Sequence, residues 1–528
     1  MKQPLRILLI DLGSTRKEIN EPIGICAVAS YAKKHISFAA EIDLIFFPLS
    51  KHPTRLELSS YDLVGLSTKI GSLEQIRDIS TLLLEIPINV RPILVLGDLI
   101  ATFATKQILQ IFEHAICVVG EGEVAFLQLL ESVRHARSLG VDLRHFLAEK
   151  DINHLAFVLN GLIVKSRGQL VNMSTCPAPD RTFAKSVASM GGIIRVEGSR
   201  GCAWGRCSFC AIQHKYCNET QWRPIATERI INELQIMSSL GIRSPFFTDE
   251  DFIGNDPLRA IELSNKIIEA KRLGQIDKNF NIYVNMRVDS ILSKPHKGIP
   301  SGSSVLKNFR RAGLREVFIG IESGSKEQVK RYKKASTVDR NALAIRVLKE
   351  AGLTYDLGFI MFDPEMTIHE LSTNIEFLIR AGLSTHDARL TKSLRIESGT
   401  PIVDEYFAKD MIIGDIDVDQ LVYPYRWNNS NVEDTYNAYS EWENICINDI
   451  YTIQATTRGE VLSELLRTEW RTGLGEIREI ELSALKYLTN QADRGKNATM
   501  SALHELQGVR IEKVSNMLEI INFTRMAN

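Results

Sequence analysis

The sequence predicts an α/β protein with an N-terminal flavodoxin-like doubly wound domain, a central partial (β/α)6 TIM-like barrel and a mainly helical C-terminal region. Two observations predict this fold. Short apolar runs alternate with amphipathic stretches up to about residue 415, and that rhythm then gives way to helical spacing. A chain of 528 residues is also too long for one ordinary core. We place the boundaries at 1–150, 151–190 for a linker, 191–415 and 416–528.

The composition indicates a globular protein. Hydrophobic residues make up 44% of the chain and charged residues 24%, enough apolar area to offset the entropy of ordering. The net charge of -1 supplies no field for nucleic acid or an anionic membrane, so we predict neither partner. No apolar run approaches the roughly 20 residues of a spanning helix, and the start, MKQPLRILLIDLG, turns acidic too soon for a signal peptide. We therefore expect no membrane span and a cytoplasmic location.

Five apolar runs in the first domain read as strands. They are RILLIDLG, AEIDLIFFPL, YDLVGLSTK, RPILVLGD and AICVVGEGE. The stretches SLEQIRDISTLLLEI and EVAFLQLLESV have apolar spacings of three and four and read as helices. Strand and helix in turn favour a parallel sheet of five strands with helices on both faces.

Small and polar residues follow these predicted strands, where ligands of such sheets bind. The candidate binding residues are Gly13, Ser14, Ser67, Thr68, Gly97, Asp98, Gly120, Glu121 and Gly122. Small residues let a bulky cofactor approach the backbone. Glycines at strand ends also make ordinary turns, so this alternative stays open.

The central region repeats the alternation with six predicted strands. These are GGIIRVEGS, SPFFTDEDF, FNIYVNMRV, REVFIGIES, TYDLGFIMF and ARLTKSLRI. Five intervening helices end on the same signal, a glycine expected to adopt a left-handed cap, at Gly241, Gly274, Gly313, Gly352 and Gly382. Six strands with right-handed crossovers predict a partial barrel whose ligand face lies at the carboxyl ends of the strands.

Three cysteines lie together after the first of these strands. Cys202, Cys207 and Cys210 are soft ligands on one loop, and they can hold three corners of a cubane cluster while the fourth iron stays open to a small chelating molecule. Eight cysteines are too few for a disulfide scaffold. The alternative is a structural zinc site, which needs a fourth ligand such as Cys217 or His214.

This cysteine loop resembles that of the radical S-adenosylmethionine (SAM) superfamily. The usual motif has three residues between its first two cysteines and two between the next pair, whereas Ala203 to Arg206 make four here. The resemblance implies a 4Fe-4S cluster on the three cysteines, with SAM contacts at further matching positions. Those positions are Phe209, Asp249, Glu250, Asn285, Arg287, Glu322 and Ser323. A guanidinium such as that of Arg287 suits the carboxylate of SAM.

The first domain resembles the cobalamin-binding domain that precedes many radical SAM domains. Glu21-Pro22-Ile23-Gly24 before a helix, Gly97-Asp98 and the GEGE segment carry that resemblance. It implies that the nine candidate residues of this domain contact cobalamin. The Asp-x-His-x-x-Gly loop that holds a lower cobalt ligand in other cobalamin domains is absent, because Leu12, Gly13 and Ser14 follow Asp11.

The resemblance implies an enzyme that reductively cleaves SAM to a 5'-deoxyadenosyl radical and methylates an unactivated carbon through methylcobalamin. It implies a small-molecule or peptide substrate and an electron donor such as flavodoxin or ferredoxin, and it assigns no catalytic residue. Two alternatives stay open: the same architecture performing a non-methylating rearrangement, oxidation or cyclisation, and a non-catalytic, metal-braced binding protein. An aromatic group near the C-terminal region either packs the domains or lines the substrate side, namely Tyr423, Tyr425, Trp427, Tyr436, Tyr439 and Trp442.

Overall fold

The structure of the protein is a computed structural model. It describes residues 4–13, 19–150, 152, 154–166, 168–216, 222–458, 464–494 and 500–527. The predicted ligand Ser14 and the possible zinc ligand Cys217 lie outside these described residues. Within the described part of the chain, no helix is both long enough and apolar enough to cross a membrane.

The first domain contains a seven-stranded sheet. Its strands are β1 (Leu5–Asp11), β2 (Ala40–Phe46), β3 (Leu63–Ser67), β4 (Ile93–Gly97), β5 (Ile116–Val118), β6 (Leu155–Leu159) and β7 (Leu162–Lys165). The strand order is 2-1-3-4-5-6-7, and the first five strands are parallel. The flavodoxin-like prediction is therefore confirmed, with two strands more than the five predicted.

The two extra strands correct the predicted linker 151–190. β6 pairs antiparallel with β5, and β7 pairs antiparallel with β6, so the first part of that segment extends the first sheet. The hairpin turns at Asn160 and Gly161, whose φ angles are 50° and 77°. Positive φ at both central residues is typical of the two-residue turn whose twist matches its strands, and Asn-Gly is the favoured sequence for it.

Helices cover both faces of this sheet. They are α1 (Ile23–His35), α2 (Arg55–Leu58), α3 (Leu73–Leu84), α4 (Leu99–Phe103), α5 (Thr105–Ile111), α6 (Gly122–Leu139) and α7 (Leu143–Lys150), with a short 3-10 turn at Phe47–Leu49. Alternate residues of β1 supply two cores. Ile7 and Leu9 pack with α1 and α6, whereas Leu8 and Ile10 pack with α3 and α5.

The central domain is a partial barrel of five parallel strands. Its strands are β8 (Arg195–Val196), β11 (Phe246–Phe247), β12 (Ile282–Met286), β13 (Leu314–Glu322) and β14 (Thr354–Phe359), and β9 (Ser199–Arg200) forms a small antiparallel ribbon with β10 (Arg223–Pro224). The predicted sixth strand contributes one parallel bridge, between Phe362 and Ser393. Backbone hydrogen bonds join it to the chain just after β14, from Met361 to the Lys392 carbonyl at 2.8 Å and from Leu394 to the Phe362 carbonyl at 2.8 Å.

Helices alternate with the barrel strands. They are α8 (Ala184–Ser189), α9 (Ile212–Lys215), α10 (Thr227–Ser239), α11 (Pro257–Arg272), α12 (Val288–Ile291), α13 (Gly302–Ala312), α14 (Lys326–Arg331), α15 (Val338–Glu350), α16 (Ile368–Arg380) and α17 (Pro401–Ala408). The five predicted glycine caps are confirmed, with φ angles of 80°, 71°, 112°, 62° and 64° at Gly241, Gly274, Gly313, Gly352 and Gly382.

The C-terminal region is mainly helical, as predicted. It contains α18 (Ser430–Asn444), α19 (Ile447–Arg458), α20 (Glu464–Asp493) and α21 (Met500–Ala527). Tyr439 and Trp442 are buried in the main core, with Trp427 and Tyr436 packed against it. Tyr423 and Tyr425 pack against the cluster that contains Tyr406. The predicted aromatic group therefore packs the domains together.

Candidate functional site

The three clustered cysteines lie around one cavity of about 390 Å³. β9 leads directly into their loop, and the opposite wall comes from the carboxyl ends of β12 and β13, at Asn285 and Glu322. Cys202, Cys207 and Cys210 all line this cavity and are partly buried. The structure thus brings the predicted ligands together at the ligand face expected for a parallel barrel.

Hydrogen bonds hold the back of the cysteine loop against the segment after β13. The Trp204 indole N–H donates to the Lys333 carbonyl at 2.9 Å. Ser208 donates twice, from its backbone N–H to the Tyr332 carbonyl at 3.1 Å and from its hydroxyl to the Arg331 carbonyl at 3.0 Å. The four residues between Cys202 and Cys207, one more than the usual motif has, therefore include a tryptophan that anchors the loop to the segment after β13.

Burial raises the pKa of all three thiols, and that of Cys210 rises to about 12. Backbone N–H groups of Gly205 and Trp204 act in the opposite direction on Cys202, and the Lys334 ammonium does so on Cys207. Because metals bind the thiolate, a positively charged metal group is the partner that would favour deprotonation here.

The donor set consists of three thiols, the ligand type that holds iron-sulfur clusters. Among the described residues, no three His, Cys, Asp or Glu side chains converge as a single-ion site requires. His214, the other possible zinc ligand, packs its ring against Phe103, with centroids 5.5 Å apart. Three thiols distributed around a cavity suit a cluster of several metal and sulfide atoms.

Five of the seven predicted SAM contacts line the cysteine cavity. They are Phe209, Glu250, Asn285, Arg287 and Glu322. The other two, Asp249 and Ser323, do not line it and are fully buried. The Ser323 hydroxyl bonds the side-chain oxygens of Gln328 and Asn374 at 2.7 and 3.0 Å, so it belongs to a buried polar network behind the strand end.

Asp249 is bound by the chain at the start of β9. Its carboxylate accepts hydrogen bonds from the Gly198 backbone N–H at 2.8 Å and from the Ser199 hydroxyl. Burial raises the pKa of Asp249 to about 7, although both hydrogen bonds act in the opposite direction. The residue contributes to the site indirectly, because its backbone carbonyl accepts a 2.7 Å hydrogen bond from the Asn285 amide.

Arg287 already has acidic partners. Its guanidinium lies 3.2 Å from the Asp251 carboxylate and also pairs with Asp289. One guanidinium nitrogen is 3.9 Å from the Cys202 sulfur, which places a positive charge beside a predicted cluster ligand. Asp251 belongs to the segment 248–251, whose resemblance predicted a SAM contact, whereas Asp289 was not predicted, although it lies two residues after Arg287.

Glu322 is held at the end of β13 in a left-handed conformation, with φ of 61°. The Lys334 ammonium donates to its carboxylate at 2.9 Å. A Cβ atom at Gly320 would lie 2.3 Å from that carboxylate, so the neighbouring glycine makes room for the pair. Lys334 lines the same cavity and was not among the predicted contacts; the basic stretch after the glycine-rich strand end was its only signal.

Glu250 lies at a junction between two cavities. It lines the cysteine cavity and also an interdomain cavity of about 480 Å³. Its carboxylate accepts from the Gly201 backbone N–H at 3.1 Å, from the Lys215 ammonium at 2.7 Å and from the Tyr216 hydroxyl at 2.9 Å. Burial would raise the pKa of Glu250, but Lys215 and these hydrogen bonds outweigh it and lower the pKa.

A third cavity, of about 240 Å³, lies at the carboxyl edge of the first sheet. Six of the predicted cobalamin contacts line it: Ser67, Gly97, Asp98, Gly120, Glu121 and Gly122. Gly13 lines the interdomain cavity instead. Thr68 lines neither, because it is fully buried and its hydroxyl donates to the Gly97 carbonyl at 2.6 Å.

Two glycines on the wall of this third cavity border open space. A Cβ atom at Gly24 or Gly97 would meet no atom within 4 Å, so side chains there would occupy the cavity. Asp98 combines φ of 77° with ψ of -154°, a conformation largely restricted to glycine. Its carboxylate accepts a 2.7 Å hydrogen bond from the Ser67 hydroxyl. Asp98 lines both the third cavity and the interdomain cavity.

Glu121 joins the domains through a buried ion cluster. Its carboxylate lies 2.7 Å from Arg223 and 3.1 Å from Arg200. Arg200 also contacts Glu123 at 2.6 Å and Glu197 at 3.0 Å. Since the carboxylate of Glu121 is bound to two guanidinium groups, its main role here is to tie the start of α6 to the β9–β10 ribbon that precedes the barrel strand β11.

Comparison with known proteins identifies the barrel region. Residues 196–378 match the family model of the Radical SAM superfamily. The chain is 28% identical over 335 residues to 4'-phospho-dehydrooxetanocin synthase of Priestia megaterium, covering 61% of this chain and 43% of that protein. It is 26% identical over 372 residues to an uncharacterized methyltransferase of Pyrococcus horikoshii, covering 67% of this chain and 72% of that protein. The match to the synthase thus spans less than half of that relative's length.

Two solved structures share the fold over nearly the whole chain. The cobalamin-dependent SAM radical enzyme OxsB, with aqua-cobalamin and SAM bound, has a TM-score of 0.79 at 20% identity, covering 98% of this chain and 80% of that one. The radical SAM methyltransferase TsrM of Kitasatospora setae, with cobalamin and a 4Fe-4S cluster bound, has a TM-score of 0.67 at 14% identity, covering 93% and 100%. At these identities the likeness shows the fold.

Proposed function

The chain carries a radical SAM domain, and from this premise we propose that it is a cobalamin-dependent enzyme that reductively cleaves SAM. The placement of Cys202, Cys207 and Cys210 around a single cavity carries this proposal. When bound to these thiols, a 4Fe-4S cluster would supply the low-potential electron that splits the sulfonium carbon-sulfur bond. The products of that cleavage are methionine and a 5'-deoxyadenosyl radical.

The residues around the cysteines would bind and orient SAM. Glu250, with a lowered pKa and an open side toward the cavity, is suited to the SAM ammonium. Asn285 offers an amide whose orientation is fixed by its bond to the Asp249 carbonyl. Arg287 and the Glu322–Lys334 pair provide fixed charges that need no reorganisation when SAM enters.

We propose that cobalamin occupies the third cavity, at the edge of the first sheet, and the adjoining interdomain cavity. Gly24 and Gly97 leave the open space that a bulky cofactor needs, and Gly13 and Asp98 border the adjoining interdomain cavity. Lys215, Tyr216 and Glu250 would then separate cobalamin from SAM. A substrate bound between cobalamin and SAM would lose a hydrogen atom from an unactivated carbon and receive a methyl group on that same carbon.

A second candidate is a non-methylating radical rearrangement. The similarity to the synthase of Priestia megaterium supports it, because that protein is named for a product other than a methylated one. Both candidates use the same SAM cleavage and differ in the fate of the substrate radical. In either case we propose a small-molecule or peptide substrate and a protein electron donor.

Anaerobic assay of 5'-deoxyadenosine tests the shared step. The reconstituted protein, given SAM, hydroxocobalamin and dithionite, should release 5'-deoxyadenosine, and the Cys207→Ala variant should fall to background because one cluster ligand is lost. Cys176→Ala removes a buried cysteine outside the loop and should retain both iron and activity. Equal release from wild type and Cys207→Ala would refute the proposal.

The count of SAM products separates the two candidates once a substrate is found. Methyl transfer consumes two SAM molecules per product, giving one 5'-deoxyadenosine, one S-adenosylhomocysteine and a product heavier by one methylene unit. A rearrangement gives no S-adenosylhomocysteine and no methyl gain. Mass spectrometry of the product decides between them.

A further inference from the structure

The guanidinium of Arg287 has little capacity left to bind a ligand. Its Nε donates to the Asp289 carboxylate at 2.9 Å, and its terminal nitrogen Nη2 pairs with the same carboxylate. The other terminal nitrogen, Nη1, lies 3.2 Å from the Asp251 carboxylate and 3.9 Å from the Cys202 sulfur. A guanidinium has five N–H bonds, so these four contacts leave a single N–H, on Nη2.

This arrangement is unsuited to the carboxylate of SAM, although the resemblance assigns Arg287 to SAM. An arginine binds a carboxylate most strongly through two parallel N–H bonds from one edge of the guanidinium. Asp289 already occupies the edge formed by Nε and Nη2. The remaining edge includes Nη1, whose two N–H bonds face Asp251 and Cys202. No edge of the guanidinium therefore offers two N–H bonds to a second carboxylate.

Asp251 connects the guanidinium to the cysteine loop. It is fully buried, and its carboxylate also accepts a hydrogen bond from the Ser290 hydroxyl at 3.3 Å. Burial raises the pKa of Asp251, whereas Arg287 and the backbone N–H of Ala203 act in the opposite direction. Ala203 directly follows Cys202 in the chain. One buried carboxylate thus contacts both the guanidinium and the start of the loop that carries the first cysteine.

A fixed cation beside a cysteine sulfur has a defined effect on iron-sulfur chemistry. Hydrogen bonds to the sulfur atoms and the local charge set the reduction potential of a cluster that those sulfurs bind. Reduction adds one negative charge, so a neighbouring guanidinium stabilises the reduced form more than the oxidised form. The Arg287 side chain is only 17% exposed, and water therefore screens its charge little.

We propose that Arg287 is a positioning residue for Cys202, which donates to the cysteine sulfur and raises the reduction potential of the cluster, and that it does not bind the SAM carboxylate. The inference rests on the proposed function, in which the three cysteines hold a cluster. It also gives the two acids distinct roles. Asp251 holds the guanidinium beside the sulfur, and Asp289 fills the edge that a carboxylate would take and offsets part of the positive charge.

Two substitutions with opposite expected effects test the proposal on the reconstituted, full-length protein. Arg287→Gln removes the cation, and we expect the equilibrium constant for one-electron reduction to fall about tenfold, a shift of about 59 mV to more negative potential. Asp289→Asn removes the offsetting charge and leaves the contact with Asp251 in place, so the potential should shift in the positive direction. Redox titration without SAM, followed by electron paramagnetic resonance, measures both shifts.

SAM affinity provides the second readout. Equilibrium dialysis should show that Arg287→Gln binds SAM within about threefold of wild type, because no bidentate contact with the carboxylate is lost. Loss of such a contact would weaken SAM binding by about tenfold or more. The two measurements therefore separate an effect on the cluster from an effect on its ligand.

Arg471→Gln is the matched control. Arg471 also pairs with two acids, lying 2.6 Å from Glu316 and 2.7 Å from Asp387, and its side chain is 22% exposed. Glu316 lies toward the amino end of β13, the end opposite the cysteine cavity. The control removes a similarly paired arginine from the barrel, and it should change neither the potential nor the affinity for SAM.

Each other outcome counts against a specific claim. An unchanged potential in Arg287→Gln would overturn the inference, and so would an equal shift in the control. Tenfold weaker SAM binding by Arg287→Gln would overturn it too, because the guanidinium would then be the partner of the SAM carboxylate. If Arg287→Gln does not retain a cluster, Asp289→Asn decides, and the absence of a positive shift there overturns the inference. A wild-type protein that binds no 4Fe-4S cluster would instead defeat the proposed function.

Discussion

The cysteine cavity and the first-domain cavity occupy equivalent places in two parallel sheets, yet they expose different chemistry. The walls of the cysteine cavity carry reactive or charged side chains, namely the three thiols on the loop after β9 and residues such as Glu322 at the end of β13. At the ends of β3 and β4 the walls contain small residues such as Ser67 and Gly97, and the charged residues that also line this cavity include Glu121 and Arg200, which are paired with each other. The first cavity is suited to ligating metal and placing charge, and the second to accommodating bulk.

The two regions also differ in what their polar strand-end residues do: some face a cavity, and others bind other parts of the protein. Around the cysteines, Glu250 and Asn285 face the cavity. In the first domain, Thr68 bonds the backbone, and Glu121 binds two arginines. Glu250 has protein partners too, from Gly201, Lys215 and Tyr216, so the presence of a partner does not by itself exclude a polar residue from a site.

The largest expected effect on stability concerns Arg200, which connects the two regions. Arg200 is 8% exposed, and its guanidinium pairs with Glu121, Glu123 and Glu197. Arg200→Met leaves these buried carboxylates without their central cation, and we expect the free energy of unfolding to fall by about 3–5 kcal/mol. Urea denaturation monitored by circular dichroism measures this loss.

Arg272→Met is the matched control, because Arg272 pairs with Glu269 on the surface of α11. No measurable change is expected there, since exposed ion pairs contribute little. If Arg200→Met also leaves the free energy of unfolding unchanged, the ion cluster does not stabilise the contact between the first domain and the barrel. The two cavities could then not be compared as parts of one stably joined protein.

The next prediction distinguishes the role of Asp249, which affects the pH dependence of stability, from that of its neighbour Glu250. The folded-state pKa of Asp249 is about 7, against an ordinary value of 3.8, because burial disfavours its charge. The folded state therefore holds a proton that the unfolded state releases, and stability falls as pH rises from about 4 to 7. The slope attributable to this group is about 1.4 kcal/mol per pH unit at most. Asp249→Asn should remove that slope.

SAM affinity gives the second readout. Asp249→Asn should bind SAM like wild type, because its carboxylate faces Gly198 and Ser199. Glu250→Gln should weaken SAM binding by about tenfold, because a charged hydrogen bond is lost. Equilibrium dialysis measures both dissociation constants. A reversed order of effects would return Asp249 to the site.

Much of the fold was predictable because it depends on local signals. The parallel first sheet followed from apolar runs, and the five barrel helices ended at the glycines where caps were predicted. The hairpin of β6 and β7 also carried a local signal, Asn160-Gly161 between two apolar runs. It was missed because the domain was expected to close after five strands.

The directions of individual side chains were less predictable. The sequence placed Asp249 and Ser323 correctly at strand ends, but their partners decide that they turn inward. For Glu121, the decisive partners Arg200 and Arg223 are 79 and 102 residues away in the chain. No local pattern reveals such pairings, whereas three cysteines within nine positions carry their own signal.

The smallest expected effect tests whether bulk alone defines the first-domain cavity. Gly97 has no positive φ, and a Cβ atom there meets nothing within 4 Å, so Gly97→Leu should fold normally while filling the cavity. We expect hydroxocobalamin to bind about tenfold more weakly, since lost space costs on the order of 1.4 kcal/mol or more, whereas SAM affinity is retained. Gly508→Leu, at an equally open position on the exposed side of α21, should change neither affinity. Cobalamin titrations followed by absorbance make the comparison. If Gly97→Leu binds cobalamin like wild type, the open space beside Gly97 is not the cofactor's place, and the contrast between a side-chain site and a space-filling site is lost.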